Sequence, residues 1–353
     1  MKKRPSIQDI ADRLGVCKMT VSLALRKNPK ISKATREKVE AVAEELGYRK
    51  NPELSRFMSA IRRKATDERG LPLAYITTGK VRGEWRRSAT ERQYWEGAQQ
   101  QAEAYGFYIM EFWLDEPGMS EKRLSQILWS RGIQGVILHP FSGSITDRTR
   151  EIVIELNLSR FATVTMGDML TRPVLNRVVH DHYTSTLEAM DALVQLGYKR
   201  IGFCMTKHMD RIVKHRWQAA YRIYCANNPV NRIEPLIRHD LNASHIGEWC
   251  QKKKLDAVIS ADIRMASFFE QVGIKMGDEV AYADLDLDRN HENYHGVSGI
   301  DQNSRAVGNV AVDALMSGIQ RNECGVPQSP LTIQVEGSWH DRGSTPSVKM
   351  DGA

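Results

Sequence analysis

The chain has no stretch of about 18 consecutive apolar residues, so no transmembrane helix is expected. Its basic start, Met1-Lys-Lys-Arg-Pro5, is followed by no apolar segment, which argues against a secretory signal and for a cytoplasmic protein. Cysteine is scarce: five residues, widely spaced, with no Cys-x-x-Cys pair, so reduced thiols are expected rather than a disulfide framework. Gly-x-Ser-x-Gly, the phosphate-binding P-loop and Gly-x-Gly-x-x-Gly after a strand are all missing. No catalytic residue is assigned and no enzyme is expected. The ten histidines are read as forming no metal-ligand pair, so neither a metal nor a cofactor is expected.

The charge is unevenly spread. Residues 1–64 carry 17 Lys/Arg against 7 Asp/Glu, a surplus of ten, while the whole chain is only +7. The net positive charge therefore sits at one end, as phosphate binding requires. That end also has a helical pattern. Ile7, Ile10, Ala11 and Leu14 fall on one helix face, with Ser6 before them as N-cap. Gly15 permits a tight turn, and Cys17 to Leu25 reads as a second helix with Val21, Ala24 and Leu25 inward. A third helix follows, starting near Ser32 or Thr35 and ended by Gly47. Two short helices around a glycine turn form the helix-turn-helix pattern, whose second helix enters the DNA major groove.

The ordered run Ile7-Gln-Asp-Ile-Ala11, Leu14-Gly-Val16, Met19-Thr-Val-Ser22, Ile31-Ser32, Thr35-Arg-Glu-Lys-Val39 and Leu46-Gly-Tyr48 resembles the lactose-repressor (LacI/GalR) family of bacterial transcription regulators. The bland alternative is a generic three-helix bundle. The resemblance implies that Lys18 and Met19 read base edges, lysine donating to guanine and methionine meeting a thymine methyl. Leu23 stands where the family generally carries Arg; either it alters the operator or it is simply buried. Ser6, Thr20, Ser22, Ser32, Thr35, Arg36, Tyr48 and Asn51 suit phosphate contacts, although Ser32 and Thr35 also suit helix capping.

Asn51 and Pro52 open a further helical stripe, Leu54, Phe57, Met58 and Ile61. A lone helix of that length is marginal in water and needs a partner. In the resembled family it is a hinge helix that pairs with its copy and wedges an apolar side chain into the minor groove, here Phe57 with Met58 beside it. Packing of both in a dimer seam is the alternative.

From Leu71 on, short strands alternate with longer helices, which predicts a parallel, doubly wound sheet, repeated after Val178. Helices are expected at Glu91–Tyr105, Thr146–Leu156, Tyr183–Leu196, Ile212–Ala226 and Ser304–Ile319, among others. The resemblance continues in Ala192-Leu-Val-Gln-Leu-Gly-Tyr-Lys-Arg-Ile-Gly202, Arg216-Trp-Gln-Ala219, Ser260-Ala-Asp262, Ala283-Asp284, Asp301 to Gly308 and Arg342-Gly-Ser-Thr345. The expected fold is an N-terminal all-α helix-turn-helix domain plus an α/β two-subdomain periplasmic-binding-protein-like effector domain. Its expected borders are 1–49 for the DNA-binding domain, 50–70 for the hinge helix and linker, and 71–345 for the effector-binding and dimerisation domain, with 346–353 as a tail. Within that third part, 71–175 with 300–328 and 176–299 with 329–345 form the two subdomains.

In the cleft between them Arg216 and Asp262 are the expected effector contacts, a donor fork and an acceptor suited to a sugar. His139 and Asp284 end strands at the same level and are weaker candidates; Asp181 reads as an N-cap. Trp85, Trp95 and Trp217 offer stacking faces or core. The resulting expectation is a bacterial repressor that binds double-stranded operator DNA as a homodimer, away from any membrane and associated with the nucleoid. A small-molecule effector would set its affinity. The rival is a cytoplasmic α/β binding protein or enzyme with a non-regulatory N-terminal bundle. The tail, with Pro346 and Gly352, lacks a leucine heptad, which favours a dimer over a tetramer.

Overall fold

The computed structural model describes residues 7–16, 20–21, 24, 32–45, 70–140, 152–228, 232–288 and 295–348. It falls into two compact units, Met1–Ala65 and Thr66–Ala353. In the first, α1 (Ile7–Leu14) and α2 (Lys33–Glu45) are helical, as are Thr20, Val21 and Ala24 between them. Ala11, Val21, Ala24, Val39 and Ala43 close into one small core, edged by Leu14, Val16 and Val42. Gly15 takes a left-handed φ of 62° after α1, a conformation glycine adopts without penalty. Ser32 caps α2: its Oγ accepts from Thr35 N at 3.2 Å. The exposed Arg13–Glu45 pair at 2.9 Å adds only about 0–1 kcal/mol. The expected hinge helix, with Phe57 and Met58, lies outside the described residues.

The second unit begins with β1 (Leu71–Thr77), a 3-10 turn (Glu84–Arg87), α3 (Ala89–Ala104), β2 (Phe107–Trp113), α4 (Glu121–Ser130) and β3 (Gly135–Leu138). β4 (Ile152–Val153), β5 (Ala162–Met166), β6 (Leu170–Arg172) and β7 (Arg177–His180) follow. The chain then runs through α5 (His182–Gln195), β8 (Ile201–Thr206), α6 (Lys207–Ile212), α7 (Arg216–Asn227), β9 (Leu236–Arg238) and α8 (Ala243–Lys253). Next come β10 (Ala257–Ser260), α9 (Met265–Gln271), β11 (Ala281–Asp284) and β12 (Ser298–Asp301). α10 (Ser304–Arg321), β13 (Thr332–Val335) and β14 (Ser338–His340) complete it.

Two six-stranded sheets result, ordered β13-β7-β5-β3-β1-β2 and β14-β12-β11-β10-β8-β9. Every pairing is parallel except β12 with β14. β3, β5, β7, β10 and β11 are buried along their whole length, as parallel strands covered on both faces must be. Each sheet separates two apolar clusters, so each lobe has its own core.

Sheet membership differs from the expected subdomain borders. β7 and β13 both belong to the first sheet, so residues 177–180 and 332–335 leave the second subdomain. β12 joins the second sheet, whereas α10 packs on the first. The chain thus crosses between lobes three times, after His180, after Asp301 and after Val335.

Two expected helices are corrected. Residues 152–158 are extended, not helical: Ile154, Leu156 and Leu158 are buried while Val153, Glu155 and Asn157 are exposed, the two-residue period of a strand. The helix expected over Ile212–Ala226 is broken, because Lys214 and His215 take left-handed φ values of 52° and 59°. The break makes Arg216 the first residue of α7. β4, β6, α6, β9, α8, β12, β13 and β14 were not anticipated.

Candidate functional site

Strands of both sheets end at one cleft, the position at which open α/β sheets bind ligands. Thr78, His139 and Asp168 follow β1, β3 and β5; Thr206 ends β8, and Asp262 and Asp286 follow β10 and β11. The cleft has an inner chamber of about 380 Å³ and an outer one of about 630 Å³. Arg87, Ser88, Thr90, Met209 and Asp286 line both.

The inner chamber is walled by the rings of Trp85, Tyr94 and Trp217 and by Met169, Met209, Ile212 and Val213. His139 stands among them, buried, sharing hydrogen bonds with Glu91 Oε2 at 2.7 Å and Tyr75 Oη at 2.8 Å. α3 delivers Thr90, Glu91 and Tyr94 to the wall. Ser88 caps that helix by accepting from Glu91 N, and Gly97 lets it approach α10: a Cβ there would lie 1.9 Å from Arg305 O. Trp95 turns away from the chamber and packs edge-on against Tyr75.

Arg216 Nη1 pairs with the buried Asp168, which also receives Arg177 at 3.3 Å and Lys214 at 3.5 Å. Arg216 lines neither chamber. Asp262 lies in the outer chamber and binds Arg264 at 2.8 Å. The two residues expected to share one ligand are therefore each engaged with another partner. Asp284 is fully buried below the cleft, bonded to Tyr282 Oη and, at 2.7 Å, to Asp286 N. Burial pushes its carboxyl up to about 7. The carboxylate that reaches both chambers is Asp286, pushed up to about 6 by the same cause and held by Thr90 Oγ1 at 3.0 and 3.1 Å. Asp181 caps α5, accepting from Thr184 N at 3.1 Å.

Glu91, Asp168 and Asp286 were missed by motif reading. Asp286 follows Asp284 by two residues in the alternating run Asp284-Leu-Asp-Leu-Asp288, which places one carboxylate after another beyond the strand end. His182 and Trp217 also line the inner chamber, their rings edge-to-face at 4.9 Å. His182 Nδ1 and Trp217 Nε1 are buried without a hydrogen-bond partner. His182 meets His180, at the first crossing between lobes, at 5.0 Å. Burial pushes the His180 imidazole down to about 4 and His182 down as well.

The reading of the histidines overlooked one run, His291-Glu-Asn-Tyr-His295, which has the His-Glu-x-x-His spacing of helical zinc sites. Only His295 is described, exposed and in a turn rather than a helix. Among the described residues no group of three or more His, Cys, Asp or Glu could hold a metal ion, and no helix is long and apolar enough to cross a membrane.

In the first unit, Ser32 and Thr35 share a hydrogen bond of 2.7 Å at the start of α2, with Arg36 beside them. Thr20 is helical between the glycine turn and α2. Ser6, Lys18, Met19, Ser22, Leu23, Tyr48 and Asn51 lie outside the described residues.

The model for bacterial regulatory proteins of the lacI family matches residues 6–51. The HTH-type transcriptional regulator GntR of Escherichia coli (strain K12) is 29% identical over 289 residues, covering 80% of this chain and 82% of that protein. The lac repressor dimer bound to operator and the anti-inducer ONPF shares the fold at a TM-score of 0.55, with 17% identity over 98% of this chain and 100% of that one. The CelR–cellobiose complex does so at 0.58, with 18% identity over 97% and 100%.

Proposed function

The chain belongs to the lacI family of bacterial regulatory proteins, and from that premise we propose that it represses transcription as a homodimer on a pseudo-palindromic operator, with a small molecule in the cleft setting its affinity for DNA. It is a DNA-binding transcriptional regulator. The observation that carries the reading is the closed core of Ala11, Val21, Ala24, Val39 and Ala43, inside the matched segment and inside the part of the chain with a surplus of ten positive charges. The core fixes the helices; the charge supplies salt-sensitive affinity for phosphate.

Lys18 and Met19 read bases and Leu23 shifts the preferred half-site. Ser6, Thr20, Ser22, Ser32, Thr35, Arg36, Tyr48 and Asn51 hold phosphates. Phe57, with Met58, enters the minor groove. In the cleft, His139 and Asp262 contact the effector directly, while Arg216 acts through Asp168 and Asp284 through Asp286. A sugar suits a wall of carboxylates and aromatic faces. Effector binding changes how the two lobes close, and closure sets the pairing of the hinge segments, a coupling between distinct sites.

Selection of bound sequences from a random double-stranded DNA pool, at fixed salt, tests this. An enriched pseudo-palindrome, lost on Lys18→Ala/Met19→Ala with folding intact, is the expected result. Salt-sensitive binding with no enriched motif would overturn it, since the head would then only grip phosphate.

A further inference from the structure

The chemistry of the cleft walls narrows the effector beyond the class just given, and the inference rests on that reading of the cleft. Four carboxylates line the inner chamber: Glu84, Glu91, Asp168 and Asp286. One guanidinium, Arg87, joins them, exposed at the rim. An anion placed against Glu84 and Asp286, which accept from a backbone N–H and a hydroxyl, would face unfavourable charge. Nor does the chamber call for a cation. Asp168 already has Arg177, Arg216 and Lys214, Glu91 has His139, and Glu84 accepts from Lys80 N at 2.9 Å. What such carboxylates still offer is lone pairs for hydroxyl donors.

Two indoles, Trp85 beside Glu84 in the first lobe and Trp217 on α7 in the second, also line the chamber, together with buried polar atoms that nothing in the chain satisfies. Trp217 is 1% exposed and His182 8%; Trp217 Nε1 and His182 Nδ1 have no partner. Buried polar atoms are rarely left so, and a ligand oxygen would complete them. A ring with hydroxyls on its edge and an apolar face meets all of these demands.

The inner chamber is also not the end of the cleft. It opens past Ser88, Thr90, Met209 and Asp286 into the larger outer chamber. The outer wall is mixed in polarity and balanced in charge: Asp262 neutralises Arg264, and Asp286 and Asp288 stand with Arg87 and Arg92. Together the chambers exceed what one small ring would fill.

We propose that the effector is a neutral, two-ring glycoside of disaccharide size, one ring on the aromatic wall of the inner chamber and the second between Asp262 and Ile263 of the outer. The bond joining the rings passes the Thr90–Asp286 constriction. The outer ring supplies the selectivity over single sugars.

Calorimetric titration of the full chain with a panel of neutral disaccharides, their component monosaccharides and a hexose phosphate tests this. One disaccharide should bind at least about tenfold more tightly than either component or the phosphate. Ile263→Trp fills the outer chamber at a position already 39% exposed, so folding should tolerate it. It should bring the disaccharide down to the affinity of its inner-ring component; Asp262→Asn should weaken the disaccharide in the same sense. A monosaccharide or hexose phosphate that binds as tightly as any disaccharide overturns the proposal and leaves the sugar reading standing. Indifference of the disaccharide to both variants also overturns it. Failure of every sugar to bind, with operator binding intact, overturns the proposal and the sugar reading together.

Discussion

Thr90 and Asp286 meet across the cleft, the hydroxyl on the first turn of α3 lying 3.0 and 3.1 Å from the two carboxylate oxygens beyond β11. Asp168, after β5, and Arg216, at the head of α7, make a second tie between the lobes. These directional contacts hold the described conformation closed. They are few enough for a ligand to compete with them. Thr90→Val removes the first tie and leaves Asp286 short of a donor. A loss of about 1–2 kcal/mol in urea denaturation is expected, together with a larger radius of gyration by solution scattering. An unchanged radius would mean that the remaining contacts alone set closure.

Gly97 and Gly308 let α3 and α10 touch through their backbones. A Cβ on Gly308 would lie 2.1 Å from Tyr94 O, and backbone cannot move aside as a flexible side chain can. Gly308→Ala should therefore destabilise by about 1–3 kcal/mol or more, lowering the melting temperature by several degrees. It should also weaken any cleft ligand, because α3 carries Thr90, Glu91 and Tyr94. A variant that melts like the parent would remove the close approach as a constraint.

The pH dependence of stability has two arms. Asp284 is pushed up to about 7, so the folded state loses stability as pH rises through that value, and Asp286 acts in the same direction near 6. His180 is pushed down to about 4 and His182 is lowered too, so stability is lost as pH falls from about 6.5 toward 4. Asp284→Asn should gain on the parent by a few degrees in melting temperature between about pH 5 and about pH 8. A constant difference across that range would mean that the carboxyl does not titrate there.

On DNA, Arg36→Ala should weaken binding to all sequences and reduce the salt slope by about one, the mark of a phosphate contact. Lys18→Ala should instead relax preference at one base pair, costing about 1–3 kcal/mol on the preferred operator and little elsewhere. Equal losses on specific and random duplexes for Lys18→Ala would move it to the phosphate group.

The α/β alternation was readable because its strands are short apolar runs separated by amphipathic helices. The turn residues Gly106 and Gly197 punctuate it, each with positive φ. The period of Ile152, Ile154, Leu156 and Leu158 was also present in the sequence, and was lost by reading for helix. The Lys214–His215 break was not readable, since neither residue type announces a left-handed backbone. In the cleft, motif position pointed to Asp262 and strand ends to His139, and both line it. Neither signal could show that Asp168 occupies Arg216, because that pairing joins residues from different lobes. Glu91 was hidden as one more polar residue on a helix; only its bond to His139, just past the end of β3, reveals why it is buried.

The three crossings between lobes govern the order in which the molecule can be completed during synthesis. β13, an edge strand of the first sheet, is made only after all of the second sheet but β14. α10, which covers the first sheet, is likewise late. The basic head is finished some three hundred residues earlier. A nascent chain therefore carries a complete DNA-binding unit long before either effector lobe can close, since folding follows emergence from the N-terminus. The lobes that would carry control by a ligand are completed last, once β13 and β14 have been made.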